Sequence, residues 1–292
     1  MKPACFDFHA PRSLDHVLAL LGDHGEDCRI LAGGQSLVPL LNLRMLQPAV
    51  LISINECAEL SYIRETPSAI VCGALTRQIE VERSELVQRD VPLLAKAARL
   101  IGGMANRNRG TVCGSLAHAD PLAELPAVAL ALDATFVVNR KGSRREVPAV
   151  DFFLSELSTC IEPGEMLEAV RFPKRGAGER ETFLELGNRR HGFAVAGLAV
   201  QLNFDGDNKC IGARVAALGA GAVALRLSGA EEVLRGNSLA PDIIAEAAEA
   251  AYRDVDPPSD IHADAAHRRH LVRTLLSRAV NEIVANEGGR AA

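Results

Sequence analysis

Tryptophan is absent from this 292-residue chain, tyrosine occurs twice, and aromatic residues make up only 4%. That scarcity argues against a nucleic-acid surface built on base stacking and against the aromatic belts of membrane proteins. A basic excess is also missing: 32 lysines and arginines face 37 aspartates and glutamates, a formal net charge of -5, whereas nucleic-acid binders present positive charge. Long apolar runs are lacking. The longest uncharged one, Val215 to Leu225, is closed by Arg214 and Arg226 and falls well short of the roughly 18 residues that span a bilayer. The N-terminal stretch carries Pro3, Asp7 and His9 where a signal peptide has its apolar core. The expectation is a soluble, cytoplasmic protein with no membrane span and no nucleic-acid partner. The cysteines, Cys5, Cys28, Cys57, Cys72, Cys113, Cys160 and Cys210, are odd in number and scattered. No CxxC pair, zinc ribbon or iron–sulfur spacing can be built from them locally, so no metal site is expected here and any iron–sulfur chemistry belongs to another chain.

What is present is an ordinary globular composition, 48% hydrophobic and 24% charged, at a length that suggests two domains. Ser13 reads as an N-cap before the stripe Leu14, Val17, Leu18 and Leu21. Strands are expected at Cys28–Ala32, Val50–Ile54, Ala69–Gly73 and Thr135–Asn139. Helices are expected at Leu37–Met45, around Leu93, Ala97, Leu100 and Ile101, and at Pro121–Leu132. This alternation points to α/β or α+β layering. The polar, Gly-rich Pro173–Arg180 is the best linker. Beyond it lie two long apolar strands, Ala194–Phe204 and Ile211–Leu218, and helices at Pro241–Tyr252 and His267–Asn286.

Two segments carry chemistry. In Ile30–Leu37 a buried strand runs into Ala32-Gly33-Gly34-Gln35-Ser36 and then a helix. Glycines let main-chain N–H groups approach an anion, and Ser36 can either cap the helix or bond a phosphate oxygen. In Arg107–Pro121 a low-bulk stretch, Gly110 to Ala119, lies between helices behind two arginines, which read as solvated if the segment is only a capped loop. Two such loops suggest a dinucleotide pinned from both sides. Gly219-Ala220-Gly221-Ala222-Val223-Ala224 formally matches GxGxxA but lacks the strand-ending acid that should follow. His262, His267 and His270 lack metal-site spacing and read as a solvated helix start. No nucleophile elbow, Walker lysine or acid–base carboxylate couple stands out.

Together the two segments resemble the flavoprotein (medium) subunit of the molybdenum hydroxylases, the xanthine dehydrogenase–carbon monoxide dehydrogenase family. The AGGxS loop is Ala32–Ser36, and the RNRGTxGGSLAHADP run is Arg107–Pro121 with Cys113 at a usual glycine. Pro163-Gly164-Glu165-Met166-Leu167, Arg189-Arg190, Ser259–His262 and Arg268–Leu271 extend the likeness almost end to end. The AGGQSLVPLL opening and Glu124 are most similar to members oxidising N-heteroaromatics of the quinoline type.

The resemblance implies an α+β fold: a vanillyl-alcohol-oxidase (PCMH)-type FAD-binding domain of two α/β lobes over 1–176, then a C-terminal α+β domain, antiparallel sheet plus helices, over 177–292. It implies non-covalent FAD, with Ala32, Gly33, Gly34, Gln35 and Ser36 on one side of the diphosphate and Thr111, Val112, Cys113, Gly114 and Ser115 on the other. Glu124 stands at the family's acidic position, Ile101 near the nucleotide, Leu167 near the ring system and Phe193 as a flavin-ring cover. Cys113 must then point away from the phosphates. Glu185 stands where relatives often have Lys, and the Asp that usually follows Gly192 is missing. No residue need act as acid or base. The implied partners are a molybdenum-cofactor large subunit and a small subunit with two-iron two-sulfur clusters, in a doubled heterotrimer. The alternatives are a self-contained flavin oxidoreductase of the same fold, for which no substrate acid or base can be named, and an assembly subunit that has lost FAD, against which the intact glycines 33, 34 and 114 speak.

Overall fold

The computed structural model describes residues 2–189 and 192–285. The chain opens with β1 (Asp7–His9), α1 (Leu14–His24), β2 (Cys28–Leu31), α2 (Leu37–Asn42) and β3 (Val50–Ser53). β3 pairs in parallel with β1 and β2 on its two sides, and all four of its residues are buried, so an unbroken apolar run serves where alternation would not. Ser13 caps α1, its hydroxyl accepting from the His16 N–H, and the helix buries Val17, Leu18, Leu20 and Leu21. α2 stops before the expected Met45 because Arg44 turns left-handed at φ 57°, and the Met45 N–H folds back onto the Leu40 carbonyl.

A second lobe follows. β4 (Ile63–Glu65) and β5 (Ala69–Gly73) lead into α3 (Gln78–Arg83), α4 (Glu85–Asp90), α5 (Pro92–Ala98), α6 (Met104–Arg109), α7 (Val112–His118) and α8 (Glu124–Ala131). The chain returns through β6 (Thr135–Arg140), β7 (Ser143–Pro148), the small pair β8 (Phe153–Ser155) and β9 (Ser158–Thr159), and β10 (Met166–Pro173). The sheet order is β4-β5-β10-β6-β7, so the last strand to be made fills the middle. α8 is shorter than its sequence pattern because Asp120 makes its own turn first. Its carboxylate accepts from the Leu122 N–H and its carbonyl from the Ala123 N–H. Every residue of α8 is buried.

Residues Lys174 to Gly178 cross to the second unit. Lys174 pairs with Glu65 and the Arg175 N–H donates to the Asp90 carbonyl, so the crossing is tied down. β11 (Glu179–Gly187), β12 (Ala194–Phe204), β13 (Lys209–Leu218) and β14 (Leu225–Arg226) form an antiparallel sheet. α9 (Ser228–Leu234), β15 (Asn237–Ser238), α10 (Pro241–Asp254) and α11 (Ala265–Ala285) complete the chain. One sheet face packs on α11, whose Leu271, Leu275, Leu276 and Ile283 join Leu198, Val200 and Val215 in one core. The other face receives α5 and α8: Phe183, Ala199, Ala216 and Leu218 belong to the core of the first domain. Covered on both sides, β12 buries ten of its eleven residues, which explains its long apolar reading. Among the described residues no helix is long and apolar enough to cross a membrane.

Candidate functional site

The two glycine segments meet. A Cβ on Gly33 would lie 2.4 Å from the Arg109 carbonyl oxygen and 2.9 Å from Gly110 Cα, so only glycine lets the strands of chain pass this closely. Gly34 holds φ 73°, a conformation that L side chains resist. Around this crossing, polar side chains act as ties. Asn55 donates to the carbonyls of Leu31 and Ala32 at 3.2 and 2.9 Å. Arg77 donates to Asn55 Oδ1 at 2.9 Å and to the Arg109 carbonyl. Asn106 Nδ2 reaches Gln35 Oε1 at 3.2 Å. Ser36 sits at the start of α2 without a capping bond from its side chain and is exposed.

The second segment is built differently. Thr111 caps α7, its Oγ1 accepting from the Gly114 N–H at 3.1 Å, while the Val112 N–H donates to the Thr76 carbonyl at 3.0 Å. α7 is two-sided: Val112, Cys113 and Leu116 are buried, Gly114 and Ala117 are exposed. The outward face therefore carries almost no side chain. Cys113 points inward, as the sequence required, with Sγ 3.7 Å from the Cys72 carbonyl. Burial pushes its thiol well above the ordinary cysteine range. Val112 and Cys113 can meet a ligand only through the main chain.

Arg107 is not solvated. It is buried at 7% exposure, pairs with Glu82 at 2.7 Å, and donates to the Ile101 and Gly102 carbonyls at 3.1 and 3.0 Å. It thereby shapes the turn that presents half-buried Ile101, which lies beyond the end of α5 and not on it. Leu167 is buried in β10, which packs against α7. Phe193 projects from the second domain, 69% exposed, immediately before β12. Arg190 lies outside the described residues.

Glu124 begins α8 and is 7% exposed. Burial, with repulsion from Glu185 and Asp120, pushes its carboxyl up to about 8 against a partial offset from a main-chain hydrogen bond. Burial alone pushes Glu185 up to about 7. Each domain therefore carries one carboxyl held above its ordinary range by burial, which the sequence did not show. The formal GxGxxA match is a docking turn: Gly219, at φ 66°, donates its N–H to the Pro121 carbonyl at 2.9 Å. Among the described residues no group of three or more His, Cys, Asp or Glu side chains could hold a metal ion. Asn55, Arg77, Asn106 and the Arg107–Glu82 pair escaped the sequence reading; as isolated polar residues they carry no motif. What the site offers is two loops of low bulk that cross at Gly33 and Gly110, with the exposed Ser36 hydroxyl beside them.

Residues 4–175 match the family described as the FAD binding domain in molybdopterin dehydrogenase, and residues 181–283 match the CO dehydrogenase flavoprotein C-terminal domain. The 6-hydroxypseudooxynicotine dehydrogenase complex subunit alpha of Paenarthrobacter nicotinovorans is 41% identical, over 95% of this chain and 94% of its own. Carbon monoxide dehydrogenase of Hydrogenophaga pseudoflava superposes with a TM-score of 0.95 at 38% identity, over 98% of this chain and 99% of the other. Quinoline 2-oxidoreductase of Pseudomonas putida 86 gives 0.92 at 33% identity, over the same shares of each chain. Such relatives are named as subunits or chains of multi-subunit enzymes. The chain belongs to the FAD-binding medium subunits of the xanthine dehydrogenase–carbon monoxide dehydrogenase family of oxidoreductases.

Proposed function

We propose that this chain is the FAD-carrying electron-transfer subunit of a molybdenum-containing hydroxylase. The observation that carries the reading is the crossing of the two glycine loops at Gly33 and Gly110, tied by Asn55 and Arg77. Main chain free of bulk at Gly33, Gly34 and Gly114 suits a diphosphate, and a side chain there would collide with the loops' own atoms and displace them. In this reading Ala32–Ser36 and Thr111–Ser115 hold the diphosphate from its two sides, non-covalently, with Ser36 donating its free hydroxyl. Ile101 packs near the nucleotide, Glu124 bonds a cofactor hydroxyl, Leu167 backs the ring system from within the core, and Phe193 covers the ring. Bound FAD supplies the redox relay between two-iron two-sulfur clusters of a small subunit, fed by substrate hydroxylation at a molybdenum cofactor on a large subunit, and an external acceptor.

The chain's own task is to bind, orient and electrostatically tune. Residues 1–176 form the FAD-binding unit and 177–292 the second unit that brings Phe193 and Glu185 to it. The assembly is a dimer of heterotrimers in the cytoplasm, where the free, mostly buried cysteines stay reduced. The relatives named for 6-hydroxypseudooxynicotine and quinoline support an N-heteroaromatic substrate for the large subunit. Purification of the untagged complex tests this. A flavin spectrum with acid-releasable FAD, iron–sulfur absorbance and two co-purifying chains is expected. Flavin on a lone chain that turns over a substrate would instead establish a self-contained oxidoreductase.

A further inference from the structure

Arg77 lies in neither glycine loop and holds both. Beside the second loop, Arg77 and Thr111 form an isolated antiparallel bridge. There the Gln78 N–H donates to the Gly110 carbonyl and the Val112 N–H to the Thr76 carbonyl, each at 3.0 Å. From this position the Arg77 guanidinium donates to the Arg109 carbonyl, the same oxygen that a Cβ on Gly33 would meet at 2.4 Å. One carbonyl oxygen therefore separates the positive charge from the point where the loops cross. A second guanidinium nitrogen donates to Asn55 Oδ1 at 2.9 Å. With its oxygen so engaged, Asn55 turns Nδ2 to the first loop. That nitrogen donates to the Leu31 and Ala32 carbonyls at 3.2 and 2.9 Å and to Ser53 Oγ at 3.1 Å.

This relay settles where the first loop's donors point. The carbonyl and the N–H of a trans peptide point opposite ways, and among the described residues no peptide is cis. Holding the Ala32 carbonyl on Asn55 therefore turns the Gly33 N–H away from Asn55. Among the described residues the N–H groups of Gly33, Gly34, Gln35 and Ser36 donate to no other group of the chain. Successive main-chain N–H groups left open in this way suit an anion.

The guanidinium also brings charge. Its acceptors, the Arg109 carbonyl and the Asn55 amide oxygen, are neutral. The Glu80 carboxylate accepts from the Arg77 main-chain N–H at 2.8 Å. Burial and repulsion from Arg109 press against the Arg77 charge, and Glu80 offsets part of this. An arginine keeps its proton under such pressure, so an anion seated on the first loop relieves it.

We propose that Arg77, working through Asn55, is the positioning residue that makes the first loop select a phosphate-bearing flavin over the bare ring. It turns the Gly33 N–H away from Asn55 and sets a positive charge behind the loop crossing. The inference rests on the FAD-binding reading above and assigns diphosphate selection to a side chain outside both glycine loops.

The test titrates the flavin-stripped complex with FAD and with riboflavin, which has the ring and no phosphate, and reads each Kd from flavin fluorescence. The proteins are the wild type, Arg77→Gln, Arg77→Lys and Asn55→Ala. Arg77→Gln should raise the FAD Kd about tenfold or more and the riboflavin Kd by less than about twofold. Arg77→Lys keeps the charge without the forked grip and should recover part of the FAD loss. Asn55→Ala changes no charge and should also weaken FAD more than riboflavin. Added salt should weaken FAD binding more steeply in the wild type than in Arg77→Gln. An FAD loss matched by riboflavin, an unchanged FAD Kd, a lysine variant as weak as the glutamine one, or equal salt dependence overturns the inference. If Arg77→Gln does not fold, Asn55→Ala and Arg77→Lys decide by the same comparison of FAD with riboflavin. Failure of the wild type to bind FAD instead overturns the FAD-binding reading, and the inference with it.

Discussion

The glycine loops and the domain seam are built by opposite means. At Ala32–Ser36 and Thr111–Ser115 most side chains are small or turned inward, Gln35 being the exposed exception, and none of the exposed ones is ionisable. Position is enforced from behind by Asn55, Arg77 and the Thr111 cap. At the seam the actors are side chains: Glu124 and Glu185 with raised carboxyls and an exposed Phe193. Main-chain walls give a shape that pH cannot change, whereas buried carboxyls give a response that pH controls. On this account the loops decide whether FAD binds, and the seam carries the fold's response to pH.

The comparison can be broken most severely at Gly33. Gly33→Ala sets a methyl 2.4 Å from the Arg109 carbonyl oxygen, and backbone cannot yield as a flexible side chain does. A loss of roughly 100-fold or more in FAD affinity is expected, independent of pH, equivalent to about 3 kcal/mol; flavin absorbance per chain reads it. A pH-dependent loss would blur the division between loop and seam. Next in size is the seam's own pH signature. Glu124 lies near 8 in the folded chain against an ordinary 4.5. A raised carboxyl contributes stability below its unfolded value and loses it as pH climbs through the folded one. The FAD-free complex should therefore lose on the order of 2–4 kcal/mol between about pH 4.5 and 8.5 through this group. Denaturant midpoints measure this loss, and Glu124→Gln should remove most of it.

Arg77→Ala cuts the tie between Asn55 and the Arg109 carbonyl. A loss of about 1–3 kcal/mol is expected in the unfolding free energy together with weaker FAD binding at every pH. Thr111→Ala removes a helix cap and should cost about 1 kcal/mol by thermal melting, with a smaller loss of flavin. The smallest effect belongs to Cys113→Ala, which changes the core side of α7 only. FAD affinity should be unaltered and stability should fall by about 1 kcal/mol or less.

Much of this was legible in the sequence, and the parts that were not share a cause. Ser13, the unbroken Val50–Ser53 run and the doubly covered β12 announce themselves because capping and burial leave local patterns. The two glycine loops were legible because their residues are consecutive. β4 and β7 were missed: they are edge strands whose charged residues, as in Ser143–Pro148, hide any alternation. β10 was missed as a strand although Leu167 was singled out, since its central place in the sheet depends on a long return. Helix ends slipped where Arg44 and Asp120 make turns that hydrophobic periodicity does not see. That Arg107 is buried could not be read from its segment because its partner Glu82 lies in another helix. The ties made by Asn55 and Arg77 and the burial of Glu124 and Glu185 are tertiary facts, invisible until the chain is folded.

The central claim is that two main-chain loops grip a diphosphate. It is tested most directly by titrating the flavin-stripped complex with FAD and, separately, with riboflavin, which has the same ring and no phosphate. The account predicts one FAD bound per chain and riboflavin at least about 100-fold weaker. Equal affinity for the two would show that the ring, not the diphosphate, is what the protein holds, and would contradict the account.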